Sequence, residues 1–246
     1  MSQERQSLSI NKAVSQNENS NCCDEIMTWP AVHEKVIEIV RNIMHTGGSV
    51  LDIGCGTGVL ADRIADLGLS VYACDREKCQ PRKGVEFIHW DIDSGAMPQE
   101  LSNRNFDIII CTDVIEHLAN HRNFLTKAAQ LLKPCGDLLI STPNIWSISS
   151  RWKFLRSGIL VLFTPEQYRI IGHINPVYPP IFHELIADTG FEIVSVCGMA
   201  RFTPGGLYRR LINKAIGTLL FTIIRKPVIP GARIGAILFY HLRKKT

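Results

Sequence analysis

The segment from Val50 to Gly58 most constrains what this chain can fold into. An apolar run ends at Asp52, glycines then alternate at Gly54, Gly56 and Gly58, and the next residues repeat apolar side chains at helical spacing. This order indicates a strand, a tight turn and a helix N-terminus, because glycine lets the backbone bend sharply and approach a ligand. The free N–H groups of a helix start favour a polar or anionic small molecule. The segment therefore predicts a ligand-binding loop.

The glycine spacing narrows the choice of ligand. A dinucleotide fingerprint needs a third glycine where Val59 stands, and a phosphate-binding Walker loop needs Gly-Lys-Ser or Gly-Lys-Thr, which does not follow. Asp75 lies at the end of the next apolar run, 21 residues after Gly54. A carboxylate at that place can accept hydrogen bonds from both ribose hydroxyls, as it does in dinucleotide folds. These features point to a nucleoside ligand without a pyrophosphate.

Apolar strands alternate with helices along most of the chain. Continuous apolar runs of this kind are typical of strands buried on both faces of a parallel sheet. We therefore predict an α/β fold with a doubly wound, mostly parallel sheet. The predicted strands are Ser49–Ile53, Leu69–Cys74, Val85–His89, Phe106–Cys111, Asp137–Thr142 and Phe191–Val196.

Two segments compete for a final strand. One is Leu219–Ile224 and the other is Ile234–Leu242, each closed by basic residues. We prefer the second segment, which makes residues 205–231 an insertion. We divide the chain into a polar N-terminal tail predicted to be disordered (1–25), a catalytic domain (26–200, with a lid at 145–175) and a basic C-terminal part (201–246).

Composition separates the C-terminal part from the rest of the chain. Residues 201–246 hold ten Lys or Arg and no Asp or Glu, so the remaining 200 residues carry 17 basic and 23 acidic side chains, a net charge of −6. The apolar stretch after Lys214 is too short to span a bilayer and suits an amphipathic helix on an anionic membrane surface. Nucleic acid is not favoured, because bulky aliphatic residues stand where stacking aromatic residues would be needed. A helix on the sheet edge or a dimer contact is the alternative.

The eight cysteines show no Cys-x-x-Cys pair, which argues against a disulfide framework or a zinc site. A reducing, cytoplasmic location, with peripheral attachment to the inner face of a membrane, is the expectation.

Three stretches together resemble a known family. They are Asp52-Ile53-Gly54-Cys55-Gly56-Thr57-Gly58, Cys111-Thr112-Asp113-Val114-Ile115-Glu116-His117-Leu118 and the run from Leu131 to Asn144. This set is similar to class I S-adenosylmethionine-dependent methyltransferases, and in particular to the ubiquinone-biosynthesis O-methyltransferases and their small-molecule relatives. The resemblance implies a seven-stranded Rossmann-like sheet ending on an antiparallel strand. The family usually has glycine where Cys135 stands, a departure that bears on the turn geometry.

The resemblance implies S-adenosyl-L-methionine as the cofactor and assigns residues to it. Asp75 would bind the ribose, Asp91 would accept from the adenine amino group, and Ile92 would pack on the ring. The full set of expected cofactor-binding residues is Asp52, Gly54, Cys55, Gly56, Gly58, Asp75, Arg76, Asp91, Ile92 and Thr112.

Methyl transfer to a hydroxyl needs alignment and removal of a proton, which a general base accelerates by about 10²–10⁴-fold. His117 lies after the fourth strand, and His173 lies where the family often has a histidine facing the active site. We expect His173, His117 and Glu116 to be catalytic. No metal is predicted, although some relatives with a similar pattern bind a divalent cation, which leaves Asp113, Glu116, His117 and His173 as an alternative ligand set.

The acceptor is expected to carry a hydroxyl on a small molecule, a glycan or a lipid-linked compound. Aromatic and cationic residues alternate in the long segment from Ile145 to Ile171, which is typical of a lid that encloses a substrate. A helical cover with ordinary core aromatic residues is the alternative. Two other functions stay open at this point. They are methylation of nitrogen or carbon, and a cofactor-binding pseudoenzyme that acts as a scaffold. The oligomeric state is not predicted.

Overall fold

The computed structural model describes residues 29–44, 47–82, 84–93, 95–199 and 235–246. The predicted tail (1–25), the basic insertion (205–231) and the competing strand Leu219–Ile224 lie outside these residues.

Seven strands form one sheet in the order β3-β2-β1-β4-β5-β7-β6. Strands β1 to β5 are parallel to their neighbours, and β7 runs antiparallel to both β5 and β6. This confirms the predicted fold class and the choice of the second candidate as the final strand. The strands are β1 Ser49–Ile53, β2 Ser70–Asp75, β3 Val85–His89, β4 Phe106–Thr112, β5 Leu132–Pro143, β6 Phe191–Met199 and β7 Ile237–Lys244.

Helices cover both faces of the sheet. Pro30–Ile43 and Val59–Ala65 pack against one face, and the helices that follow β3, β4 and the lid pack against the other. The described helices are α1 Pro30–Ile43, α2 Val59–Ala65, α3 Gln99–Ser102, α4 His121–Leu131, α5 Ile148–Ser157, α6 Pro165–Ile171 and α7 Pro179–Asp188, with a 3-10 turn at Ile115–His117.

Strand β5 begins earlier than its apolar pattern indicates. We predict it from Asp137, whereas it already pairs with β4 at Leu132. The turn inside it contains Cys135 at a φ of 59°, a left-handed backbone conformation that favours glycine. Cys135 thus adopts there the conformation that the family's usual glycine would adopt most readily.

The parallel strands bring their carboxyl ends to one edge of the sheet, where ligands bind in open α/β folds. The first residue of β7, Ile237, pairs with Pro143 at the end of β5, so the lid root lies at the same edge. The loop at Gly54–Gly58, the segment Cys111–Leu118, which we call the β4 motif, and the lid therefore lie together at this edge.

Candidate active site

The loop after β1 is shaped by its glycines. Gly54, Gly56 and Gly58 have φ values of 73°, 54° and 84°, which are left-handed conformations. A Cβ on Gly54 would lie 2.2 Å from Cγ2 of Val114, a residue of the β4 motif. The loop therefore packs directly on the segment that carries Glu116 and His117, and a side chain at position 54 would collide with Val114.

Asp75 holds this loop in place. One carboxylate oxygen accepts from the backbone N–H of Gly56 at 2.9 Å, and the other accepts from the N–H of Glu77 at 2.9 Å. A carboxylate has about four acceptor positions, so it keeps capacity for ribose hydroxyls. Arg76 is exposed, and its positive charge is one of the influences on nearby His117.

Asp52 is buried beside the loop, with 1% of its surface exposed. Neither carboxyl oxygen forms a hydrogen bond within the described residues. Burial, and then the negative charge of Asp75, raise the pKa of Asp52 to about 7. Cys55, in the same loop, is half-buried, and burial raises the pKa of its thiol, so it is not a reactive thiolate.

The expected adenine-binding segment follows β3. Asp91 accepts from the N–H of Asp93 at 3.1 Å, and Ile92 is almost fully buried. Lys127 of α4 donates to the carbonyl oxygens of Ile92 and Gly95 at 2.7 and 2.8 Å. Sequence reasoning missed Lys127, because a lysine on a helix carries no signal that it fastens a distant loop.

The indole of Trp90 is 3% exposed. It belongs to the hydrophobic core on the side of the sheet that α4 covers. An aromatic residue next to a strand end could stack on the ligand or pack in the core, and this burial favours packing in the core.

Glu116, His117 and His173 come together at the carboxyl edge of the sheet, and we call them the reaction cluster. One ligand atom from each lies within 4.8 Å of the other two. The imidazole rings of His117 and His173 are 4.9 Å apart, and Nε2 of His173 is 4.0 Å from Oε1 of Glu116. The structure thus brings together three residues, up to 57 positions apart, that we expect to be catalytic.

Backbone carbonyls orient both imidazoles. Nδ1 of His117 is 3.0 Å from the carbonyl oxygen of Gly172, and Nδ1 of His173 is 2.7 Å from that of Leu162. A carbonyl can only accept, so each Nδ1 carries the proton and each neutral ring presents a lone pair at Nε2. Burial lowers the pKa of His117, which favours its neutral form.

Glu116 is the most buried member of the cluster, with 1% of its surface exposed. Neither carboxyl oxygen meets the geometry of a hydrogen bond within the described residues. Burial and the negative charge of Asp113 raise the pKa of Glu116 well above its ordinary value, and the Thr142 hydroxyl opposes the shift only in part. The backbone around Glu116 is fixed, because its carbonyl oxygen accepts from the N–H groups of Ile174 and Asn175.

Asp113 is not part of the reaction cluster. Its Oδ1 accepts from the hydroxyl of Ser141 at 2.7 Å, and its own N–H lies 2.9 Å from the same hydroxyl oxygen. Its φ of 54° is unusual for a residue that is not glycine. Of the four residues of the alternative metal set, the structure therefore brings together three. Thr112 ends β4 beside Ser141, its partner in β5.

The fold and the cofactor loop define a class I S-adenosylmethionine-dependent methyltransferase, and S-adenosyl-L-methionine is its cofactor. A family profile described as "Methyltransferase domain" matches residues 29–196, and the chain belongs to that family.

Known proteins of similar sequence and structure agree with this assignment. The chain is 32% identical over 177 residues to the mitochondrial ubiquinone biosynthesis O-methyltransferase of Schizosaccharomyces pombe, covering 58% of this chain and 63% of that protein. It is 26% identical over 155 residues to the ubiquinone biosynthesis O-methyltransferase of Rickettsia canadensis, covering 61% and 65%. It thus spans somewhat less than two thirds of the length of these relatives.

A solved structure of a methyltransferase from Bacillus halodurans superposes with a TM-score of 0.57 at 18% identity, covering 87% of this chain and 99% of that one. The phosphoethanolamine N-methyltransferase 2 of Haemonchus contortus, solved with S-adenosyl-L-methionine, gives a TM-score of 0.53 at 18% identity, covering 87% and 52%. At these identities the superpositions show the shared fold.

Proposed function

We propose that this protein transfers the methyl group of S-adenosylmethionine to a hydroxyl of a small-molecule, glycan or lipid-linked acceptor. The observation that carries the proposal is the reaction cluster, in which two imidazoles, each with its Nδ1 against a backbone carbonyl oxygen, lie next to a buried carboxyl group. The relatives named as O-methyltransferases support the choice of oxygen.

The proposed mechanism gives each residue of the cluster one task. The cofactor is already activated, so the protein has to align the acceptor oxygen with the methyl group and take up its proton. His173 is the proposed base, because the Leu162 carbonyl fixes its Nδ1 proton and leaves Nε2 to accept. His117 and Glu116 position the acceptor hydroxyl. Phe163, whose ring is 5.4 Å from His173, limits water at the imidazole.

A divalent cation in the same cluster is the second candidate. Glu116, His117 and His173 fit such an ion, because one ligand atom from each lies within 4.8 Å of the other two and both rings donate their Nδ1 protons to carbonyls, as metal-ligating histidines usually do. A bound cation would lower the pKa of an acceptor hydroxyl.

The test of the function follows labelled methyl groups from the cofactor into soluble and lipid fractions of a cell extract, and the product bond is then identified. An O-methyl ether in the wild type, lost in His173→Ala and Glu116→Gln, is expected. His183→Gln is the control, since this imidazole lies on α7 facing Tyr240 at 5.8 Å. Label found only on nitrogen or carbon would overturn the hydroxyl assignment.

The same assay distinguishes a mechanism with His173 as the base from one with a bound cation. After treatment with a chelator, a base mechanism keeps full turnover, whereas a cation mechanism loses it and regains it with Mg²⁺, Mn²⁺ or Zn²⁺. If His173→Ala keeps full turnover, His173 is neither base nor essential ligand.

We further propose that an anionic membrane surface is a partner of this protein. The sequence argument for it rests on residues 201–246, most of which lie outside the described residues. A separate argument comes from the lid. Of the eleven large apolar residues exposed in the described part of the chain, nine lie between Phe154 and Ile181. Helix α6 has no buried residue, and α5 buries only Ser150.

We call the exposed surface of α5 and α6 the lid face. Basic side chains accompany its apolar ones, since residues 144–181 hold four Lys or Arg and one Glu. Lys153, Arg156 and Arg169 are exposed there. Anionic lipid headgroups attract such residues by roughly 1 kcal/mol each. Within the described residues, no helix is long and apolar enough to cross a bilayer, and the proposal is docking to the surface.

Vesicles test this partner directly. The wild type is expected to sediment with phosphatidylglycerol-containing vesicles at low salt, and less at high salt or with neutral vesicles. Phe154→Ser with Leu155→Ser should weaken binding by roughly tenfold or more, because each large apolar side chain contributes about 1.5–3 kcal/mol when buried. Ile193→Ser with Val194→Ser, on β6, is the control, as these are the two exposed large apolar residues of the described chain that lie outside the lid region. The membrane proposal would be overturned if the wild type does not bind vesicles, or if sedimentation shows that the lid face instead forms a dimer contact.

A further inference from the structure

Arg151 lies in the first turn of α5, at the root of the lid, and stacks on an aromatic residue. Its guanidinium carbon is 4.1 Å from the centre of the Trp146 ring. The Trp146 ring is in turn 5.5 Å from the ring of Tyr178. The three side chains thus form a contiguous cluster of a cation and two aromatic rings, with the rings tilted at 58° to each other.

The charge of Arg151 is partly removed from water, and no carboxylate among the described residues forms an ion pair with it. Burial lowers the pKa of its guanidinium, and only the Tyr178 hydroxyl opposes the shift. Among the described residues, every other arginine is either paired with a carboxylate or exposed. A charge that is partly desolvated costs free energy unless an opposite charge meets it. Arg151 is therefore the described arginine most suited to receive an anion from outside the chain.

Trp146 and Tyr178 each follow a chain segment that contacts Glu116 of the reaction cluster. Trp146 follows the end of β5, four residues after Thr142, which borders Glu116. Tyr178 follows the loop of His173, and Asn175 in that loop is bonded to the Glu116 carbonyl oxygen at 3.0 Å. The chain segments that carry Trp146 and Tyr178 thus both adjoin Glu116.

We propose that Arg151 binds an anionic oxygen group, a carboxylate or a phosphate, on the methyl acceptor. Trp146 and Tyr178 hold the guanidinium plane in position for two parallel N–H···O bonds. Arginine suits this task because its planar fork matches carboxylate and phosphate oxygens. The inference rests on the proposed function, since it names a chemical feature of that acceptor.

Binding of small probes tests the proposal without turnover. Benzoate, phenyl phosphate and the neutral benzamide are titrated into the full-length protein saturated with S-adenosylhomocysteine, by calorimetry or ligand-observed NMR. At least one anion is expected to bind more tightly than benzamide, and comparison of the two anions tells a carboxylate from a phosphate site. Arg151→Gln should weaken the preferred anion by roughly 10–100-fold, the range for a charged hydrogen bond.

Two further variants make the result specific. Arg151→Lys keeps the charge but loses the planar fork, so an intermediate affinity is expected. Arg41→Gln on α1 removes an exposed arginine and should leave anion binding unchanged. Equal affinity for anions and benzamide, or equal loss in Arg151→Gln and Arg41→Gln, overturns the proposal. Anion binding that persists while no hydroxyl is methylated would instead reject the proposed function.

Discussion

At the scale of single residues, Asp52 is a carboxyl group enclosed by the sheet beside the cofactor loop. Its pKa of about 7 lies above the ordinary value of 3.8, chiefly because of burial. The folded protein therefore retains a proton on Asp52 that the unfolded chain releases, and between about pH 4 and 7 the free energy of unfolding falls as the pH rises. Asp52→Asn removes this contribution. Urea unfolding without cofactor, measured at several pH values, should show that the free energy of unfolding falls more steeply with pH in the wild type than in the variant. An equal dependence on pH in both proteins would contradict the assignment.

The same residue predicts a pH dependence of cofactor binding. S-adenosylmethionine is a cation at its sulfonium and ammonium groups, so it binds the carboxylate of Asp52 better than the neutral acid. The dissociation constant of the wild type should fall by roughly tenfold between pH 5.5 and 7, as Asp52 loses its proton. Asp52→Asn should bind weakly with little change over this range. Calorimetry at several pH values measures both, and an unchanged affinity in the variant would sink the idea.

Many of the site residues can be predicted from the sequence, but not how they are oriented. The glycines, Asp75 and the Glu116-His117 pair stand in a motif with fixed spacing after apolar runs. The carbonyl of Leu162 gives no such signal, because any residue has one. Leu162 also has a φ of 65°, a backbone conformation that its residue type does not predict.

At the scale of elements, helix α6 links the lid to the reaction cluster. It has a capping box in which Thr164 and Gln167 satisfy each other's backbone N–H groups, and it ends at Gly172, whose carbonyl holds His117. Since α6 buries no residue, its caps supply much of its stability. Thr164→Ala should cost about 1 kcal/mol locally.

Hydrogen exchange checks that prediction. The amides of α6 should exchange roughly fivefold faster in Thr164→Ala, while the amides of β4 and the global unfolding transition stay unchanged. Thr126→Ala on α4 is a suitable control, because Thr126 is also a helical threonine with a backbone bond. A uniform change across the whole protein would show that α6 does not open by itself.

Strands were easier to predict than the lid for a physical reason. Buried parallel strands such as β4 are apolar on both faces, so their pattern is visible without knowledge of neighbours. Helices α5 and α6 leave apolar residues such as Phe154 and Ile170 exposed, and periodicity cannot tell an apolar face on the core from one that faces outward. The early start of β5 was missed because Lys133 and Pro134 interrupt its apolar pattern.

At the scale of the whole molecule, the sheet brings the loop after β1, the reaction cluster and the lid to one edge. A ligand bound there contacts segments that are far apart in sequence, so it should stabilise the domain as one unit. A ligand at 100 times its dissociation constant adds about 2.7 kcal/mol to the free energy of unfolding. S-adenosylmethionine and S-adenosylhomocysteine should both have this effect on the wild type, and NAD should not.

Two glycine variants locate the stabilisation. Gly56→Arg places a long side chain in the cofactor loop, where the N–H of Gly56 is bonded to Asp75, and should abolish the gain. Gly68→Arg also acts at a positive φ, 78°, but a Cβ there has no atom within 4 Å, so the variant should keep the full gain from a lower starting stability. If thermal unfolding shows an equal gain in both, the cofactor binds elsewhere. If only Gly56→Arg loses the stabilisation, the loop at Gly54–Gly58 binds the methyl donor.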